Sequence, residues 1–384
     1  VAARLLVSSI VAWLTVAACA PSAPPAAPAA QPAASPPAPP PASAPAPAPG
    51  DTLAGLVEAA RAEGQLNLIW TPSIGGRTGA IERWADGFNR LYGLNVRFQY
   101  TPGPTIPEML VRITQELQSG RPAASDVYLG ADDNFAEALR GGVLQSVDWA
   151  AWAPNVRDPA LITPGGVGVA FATRTPGITY NTEKVRPDDV PTSLQDLLKP
   201  QYKGRVAASV FIGNNLERQA NPELWGEQRT VEFATRYADQ VGGFIRCAET
   251  ERIATGEFDI LAPDCGTFIS RMWQSRGAPL AGVIPTDAAI LAYLYFGVPA
   301  NAAHPAAAKL VVNYLVSREA QDILFETEKL DHHLVPGAHT APEIERLQAQ
   351  GVRFVETDVA WALRNDERAG SGPKPDFDKI MRRQ

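Results

Sequence analysis

Eight polar side chains carry what chemistry the sequence offers. Six lie in loops expected at strand ends: Ser73, Asp132, Asp133, Asn214, Asn215 and Asp264. Tyr180 and Asp287 lie on connecting stretches that would line a hinge. Hydroxyls, amides and carboxylates of this kind hold a small polar or charged solute by hydrogen bonds and charge. Turning a solute over would need more. The chain has no Gly-x-Ser-x-Gly elbow, and no phosphate loop or His-Glu-x-x-His pair. The reading is therefore of a binding protein with no cofactor, and an exported hydrolase is the alternative from another class.

Each candidate also has a structural role open to it. Ser73 with Gly75-Gly76 precedes a helix and could cap it, or offer free N–H groups to an anion. One of Asp132 and Asp133 is expected as an N-cap and the other as a cleft group. His332, His333 and His339 cluster in DHHLVPGAHT. Imidazole is a common metal ligand, but adjacent histidines on a loop point apart, so a solvated loop and no metal are expected. Tyr293 and Tyr295 alternate on one face of an extended run. The acidic loops favour a cationic or hydroxyl-rich solute.

The elements that must position these groups follow from periodicity. LNLIW, NVRFQY and SDVYLG read as strands, and AIERWADGFNRLYG, PEMLVRITQELQSG and NFAEALRGG as the helices around them. Strand alternating with helix predicts parallel pairing. The alternation breaks near 167–182, returns from Gly204, and breaks again near 283–299. Two α/β lobes joined by hinge strands follow: residues 51–170 with 296–384, and residues 171–295. Ligands of such sheets bind beyond the carboxyl ends of strands, which is what selects the six loop residues.

Ahead of these lobes lies a different kind of sequence. Leu5 to Ala18 carries no charge, is too short to span a bilayer, and fits the apolar region of a secretory signal over residues 1–18. Val16-Ala17-Ala18-Cys19 resembles a bacterial lipobox, which implies cleavage before Cys19 and its acylation, as with palmitate. Residues 20–50 hold thirteen prolines and no charge. Such a run cannot bury enough surface to order itself, and extended polyproline II would span roughly 90 Å at about 3.1 Å per residue. Residues 19–50 therefore read as an anchor and tether. The protein is expected outside the cytoplasm, in the periplasm or at the cell surface.

The net charge of −7 argues against a nucleic-acid partner. Two cysteines remain beyond Cys19. In an exported protein Cys247 and Cys265 predict one disulfide, with their strands side by side.

A resemblance to a known family then enters. ITYNTEKVRPDDVPTSLQDLLKPQYKGRVA resembles the crossover segment of bacterial extracellular solute-binding proteins. Tyr180, Asn181, Pro191, Ser193, Asp196, Leu197, Pro200, Tyr202, Lys203 and Gly204 match its pattern. GAPLAGVIPTDAAI resembles the return strand. HPAAAKLVVNYLVSREAQDILFE resembles the tail, at His304, Pro305, Ala307, Ala308, Leu315, Ser317, Glu319 and Gln321. The resemblance covers roughly residues 51–355 and includes binders of ferric ion, polyamine and thiamine. It implies a two-lobed periplasmic-binding-protein fold. It also implies a monomer that presents a solute to ABC permease subunits; a sensor or structural lipoprotein of the same fold is a third possibility. Ferric-ion binders of this family often carry an adjacent tyrosine pair in the second lobe. Here the corresponding helix reads ISRMWQSRG, which makes iron an unexpected cargo.

Overall fold

The computed structural model describes residues 51–369 and 375–383. The signal, Cys19 and tether readings lie outside the described residues. The chain opens with α1 (Leu53–Glu63), β1 (Gln65–Trp70), α2 (Ala80–Tyr92), β2 (Arg97–Pro102), α3 (Ile106–Gln118), β3 (Tyr128–Ala131), α4 (Asp132–Arg140), α5 (Trp149–Trp152) and β4 (Val169–Arg174). It then crosses to β5 (Ile178–Asn181), β6 (Val206–Ser209), α6 (Ile212–Gln219), α7 (Glu227–Tyr237), β7 (Val241–Ile245), α8 (Glu251–Ala254), β8 (Ile260–Leu261), α9 (Phe268–Gln274) and β9 (Leu280–Val283). It returns through β10 (Ile290–Gly297), α10 (Pro305–Leu315), α11 (Arg318–Glu328), α12 (Ala341–Ala349), β11 (Val355–Thr357) and α13 (Val359–Ala369), and ends on α14 (Phe377–Arg382).

The local reasons are legible. In α2, Ile81, Trp84 and Phe88 recur at helical spacing and are buried, and Gly93 closes the helix with φ 62°. Proline at the start of α3 lies beside a Thr105–Glu108 capping box. β1 alternates half-buried and buried residues, and pairs with β2 in parallel.

Two sheets result. In the first lobe β3 and β4 both pair antiparallel with β10, and β11 pairs with β10 in parallel. In the second the order is β7-β6-β8-β5-β9. The expectation of mostly parallel sheets needs correcting: β6 is parallel to β7 and β8, but β5 is antiparallel to β8 and β9. Strands joined by a helix return parallel. β5 and β10 arrive from the opposite lobe with no crossover helix, and run the other way.

Each lobe has its own core. Trp70, Trp84, Phe88, Tyr128, Phe296 and Tyr314 belong to the first. Ile178, Val206, Phe233, Tyr237, Phe377 and Met381 belong to the second. The expected boundaries shift accordingly. β4 and β10 lie in the first sheet, so the crossings fall at residues 175–177 and 284–289. Nor does the whole of 296–384 go with the first lobe, because Phe377 and Met381 of α14 pack in the second core. β11 and α14 thus belong to different lobes, so the chain passes between the lobes a third time.

Cys247 and Cys265 are joined by a disulfide with Cα atoms 6.0 Å apart. The expected adjacency of their strands does not hold, since β6 lies between β7 and β8. The bridge passes beside the end of β6, where the Ser209 Oγ is 4.0 Å from the Cys247 sulfur.

Candidate functional site between the lobes

β3 and β4 flank β10 and finish near the same end of it. Leu294 of β10 is opposite Ala131, and Ala292 opposite Arg174. The register therefore brings Asp132, the first residue of α4, and Arg174, the last of β4, to one edge of the first sheet. From the second lobe, α6 extends Arg218 to this edge. One guanidinium nitrogen donates to the Asp132 Oδ1 and to the Asp133 Oδ2, both at 2.8 Å. The Asp132 side chain is fully buried and that of Arg218 is 12 % exposed. Removing one partner of so buried a pair would cost about 3–5 kcal/mol.

The surroundings are polar and incompletely satisfied. The Asp132 Oδ2 and the Nε atoms of Arg174 and Arg218 are buried without a hydrogen-bond partner, and the hydroxyls of Tyr293 and Tyr295 are buried beside Glu356 and the Val359 backbone without a short bond to either. Burial pushes the Asp132 carboxyl up to about 6, against the pull of Arg218. Burial also raises Tyr295 and lowers Arg174, whose charge is felt by Asp132. Buried polar groups are ordinarily paired, and here several that are not gather at the lobe boundary.

Tyr293 connects the edge to the histidine loop. Its ring stacks on His332 and His333, with centroids 5.2 and 6.1 Å away. The solvated-loop expectation is corrected here: His332 is buried and His333 half-buried. Gln321 accepts from the His332 N–H, and the Thr173 hydroxyl hydrogen-bonds the His333 ring. These contacts supply the partners that water would have supplied. The His332 Nδ1 accepts from the Leu334 N–H at 3.2 Å. The proton of the neutral ring then sits on Nε2, itself buried and unpaired. Burial holds its pKa well below the usual value.

A second contact between lobes joins Arg271 of α9 to Glu343 of α12. Beside it lies a cavity of about 10 Å³, lined by Thr173, Thr175, Thr267, Lys329 and Thr340 among others. That is room for about one water. Among the described residues no three His, Cys, Asp or Glu side chains gather as a metal set.

Asp132 and Asp133 alone of the eight expected residues meet the opposite lobe through an ion pair. Ser73 is exposed and hydrogen-bonds Thr71. The Gly75-Gly76 turn does face an anion, but it is the chain's own. The buried Glu328 carboxylate accepts from the Gly75 N–H and the Thr78 hydroxyl. Tyr180 packs against the second core, because Thr179 takes the opposite face of β5. Asn214 and Asn215 lie in the first turn of α6 rather than in a loop, Asn214 exposed and Asn215 half-buried. The Asp264 carboxylate is buried and accepts from the Gly177 N–H, the Gly266 N–H and the Thr179 hydroxyl, which fixes the 175–177 crossing. Asp287 accepts from the N–H groups of Leu194 and Gln195. Both aspartates are occupied with backbone that would otherwise be unpaired.

Arg174 and Arg218 escaped the sequence reading. Arg218 falls four residues after Asn214, so the two share a helix face. The candidate loop stopped one turn short of it. Arg174 ends a strand taken for a hinge, where a strand-end rule would have selected it.

With this geometry in place, comparison with known proteins is informative. The family model for bacterial extracellular solute-binding proteins matches residues 125–343, more than half of the chain. The chain belongs to this family. A solute-binding protein it resembles in sequence is the Fe(3+)-binding periplasmic protein of Serratia marcescens, 29 % identical over 155 residues. That match covers 40 % of this chain and 44 % of the relative, and the curated relatives are matched over less than half their length. Solved structures share the fold. A substrate-binding protein of an ABC transporter from Agrobacterium tumefaciens superposes with a TM-score of 0.65 at 16 % identity, over 84 % of this chain and 97 % of that one. A Trichodesmium protein (IdiA, FutA) in complex with iron and citrate gives 0.60 at 19 % identity, over 83 % and 99 %. The family is one of binding proteins, and the hydrolase alternative gives way to it.

Proposed function

We propose that this solute-binding protein captures a small polar or charged solute between its lobes and presents it to the permease of an ABC importer. In this reading it works as a monomer in the periplasm or at the cell surface, held to a bacterial membrane by a lipid on Cys19. The observation that carries the reading is the ion pair from Arg218 of the second lobe to Asp132 and Asp133 of the first, set among buried polar groups without partners. Two lobes that meet through an ion pair at this edge can part there, admit a polar guest and close over it.

A thermal-shift panel of metals, organic acids, polyamines, sugars and phosphorylated compounds tests the capture. Ferric ion belongs in it because a relative is named for that ion. A solute at a hundred times its dissociation constant would add about 2.7 kcal/mol of stability. A positive compound should also shift the radius of gyration in small-angle scattering. Silence across every class would remove the capture reading. The anchor has its own test: Cys19→Ala should yield soluble or unprocessed protein, and wild-type processing with membrane retention would refute lipidation.

A further inference from the structure

We infer that the captured solute is a small acid, a carboxylate or phosphate, that takes the place of Asp132 and Asp133 on Arg218 and is held from the other side by Arg174. This rests on the capture reading above and names the class of solute for the same site.

The argument begins with charge. The acidic loops point to a cation, but the chain already supplies one: Arg218 satisfies one oxygen of Asp132 and one of Asp133. The two arginines and two aspartates balance in charge, but one cation, Arg174, is left without an ion pair. The Arg174 guanidinium makes no hydrogen bond or ion pair among the described residues, and its Nε is buried. An arginine that cannot shed its proton keeps its charge there. The residue as a whole is half-buried, and its charge sits within the field of Asp132, Arg218 and Tyr295.

The unpaired atoms point the same way. The Nε atoms of Arg174 and Arg218 can only donate, and the hydroxyls of Tyr293 and Tyr295 can donate as well as accept. Tyr295 is 3 % exposed and Tyr293 4 %. A guest with acceptor oxygens suits the two Nε donors, and one that keeps an acidic proton also suits the unpaired Asp132 Oδ2, whereas a polyamine would add donors beside both arginines. Planar guanidinium groups also match the geometry of carboxylate and phosphate oxygens. Asp132 and Asp133 thus act as a built-in stand-in, two carboxylates from the first lobe on the arginine that the solute would claim.

Calorimetric titration of the full chain decides it, with citrate as the carboxylate probe and inorganic phosphate and glucose 6-phosphate as phosphate probes. Glucose and spermidine serve as neutral and cationic comparisons. At least one acid is expected to bind, with citrate against phosphate distinguishing the two sources, and glucose and spermidine should not. Arg174→Gln should weaken that binding at least tenfold, and Arg174→Lys should recover part of it. Tyr295→Phe, which removes one donor and leaves the ring, should weaken it severalfold if Arg174→Gln does not fold. Acid binding unchanged in Arg174→Gln, or absent from the wild type, overturns the proposal. If spermidine or glucose binds while no acid does, the acid class fails and capture stands. If none of the five binds, the acid class fails, and the broader panel decides capture.

Discussion

Asp132 is the residue whose ionised form has most to lose when the lobes meet. One oxygen has Arg218 and the other has nothing. In an open cleft its carboxyl would return to the ordinary range near 3.9, from about 6 in the closed form, where burial outweighs the opposing pull of Arg218 from α6 and Arg174 from β4 and Asp133 adds its own repulsion. A carboxyl with a raised pKa binds more protons in the closed form. The closed form is therefore favoured at low pH, and loses ground as pH rises from about 4 to about 6, by up to about tenfold per unit. Scattering profiles of solute-free protein at about pH 4.5 and 7.5 should show the more closed ensemble at the lower pH. Asp132→Asn, fixed in the neutral state, should flatten the difference. A wild type with no pH dependence in that window would refute the assignment. Asp132 was legible as a strand-end carboxylate, but its partner was not. Sequence spacing orders residues along one helix and says nothing of which opposing helix they will meet.

At the scale of elements, the helical spacing of Trp84 and Phe88 and the caps at Gly93 and Thr105 were open to reading, because helix signals are local. Strand order was not. Parallel partners follow from the crossover helices, but β6 inserts between β7 and β8 through contacts far apart in sequence. The Cys247–Cys265 pairing was therefore expected correctly on an incorrect geometry. The disulfide ties residues 18 apart across the end of the central strand of the second sheet. Replacing both cysteines with serine should cost about 3 kcal/mol in the chain-entropy model. Urea unfolding of the variant should show its midpoint lowered with a similar slope, and an unchanged midpoint would mean that the bridge constrains nothing. The buried histidine loop was misread for the same non-local reason. His332 finds its partners on α11 and β10, which the loop's own polarity could not reveal.

On the scale of the whole molecule, α14 matters out of proportion to its six residues. It packs against α6 and α7, and Phe377 is 2 % exposed within the second core. Arg382 lies over the Phe244 ring, 4.5 Å from its centroid. Phe377→Ala should remove about 3–5 kcal/mol. Hydrogen exchange should place the loss in α7 and β6, with α2 of the first lobe keeping its protection. Equal loss in both lobes would show that they unfold as one unit and that the cores are not separate. Because α6 also carries Arg218, the same variant should loosen closure without touching either aspartate.

The third connection has a consequence for how the protein is made. A chain emerging from a ribosome or an export pore appears from its N-terminus onward, and domains ordinarily fold as their residues become available. Here neither lobe can do so early. The first sheet lacks its central strand until residues 290–297 are out, and the second core lacks Phe377 until eighty residues later still. The chain must clear the exit through residue 297 before the first half can settle, and through Phe377 before the second can. A chain built in this order stays loose and threadable through the passage, and gains its rigidity only on the far side.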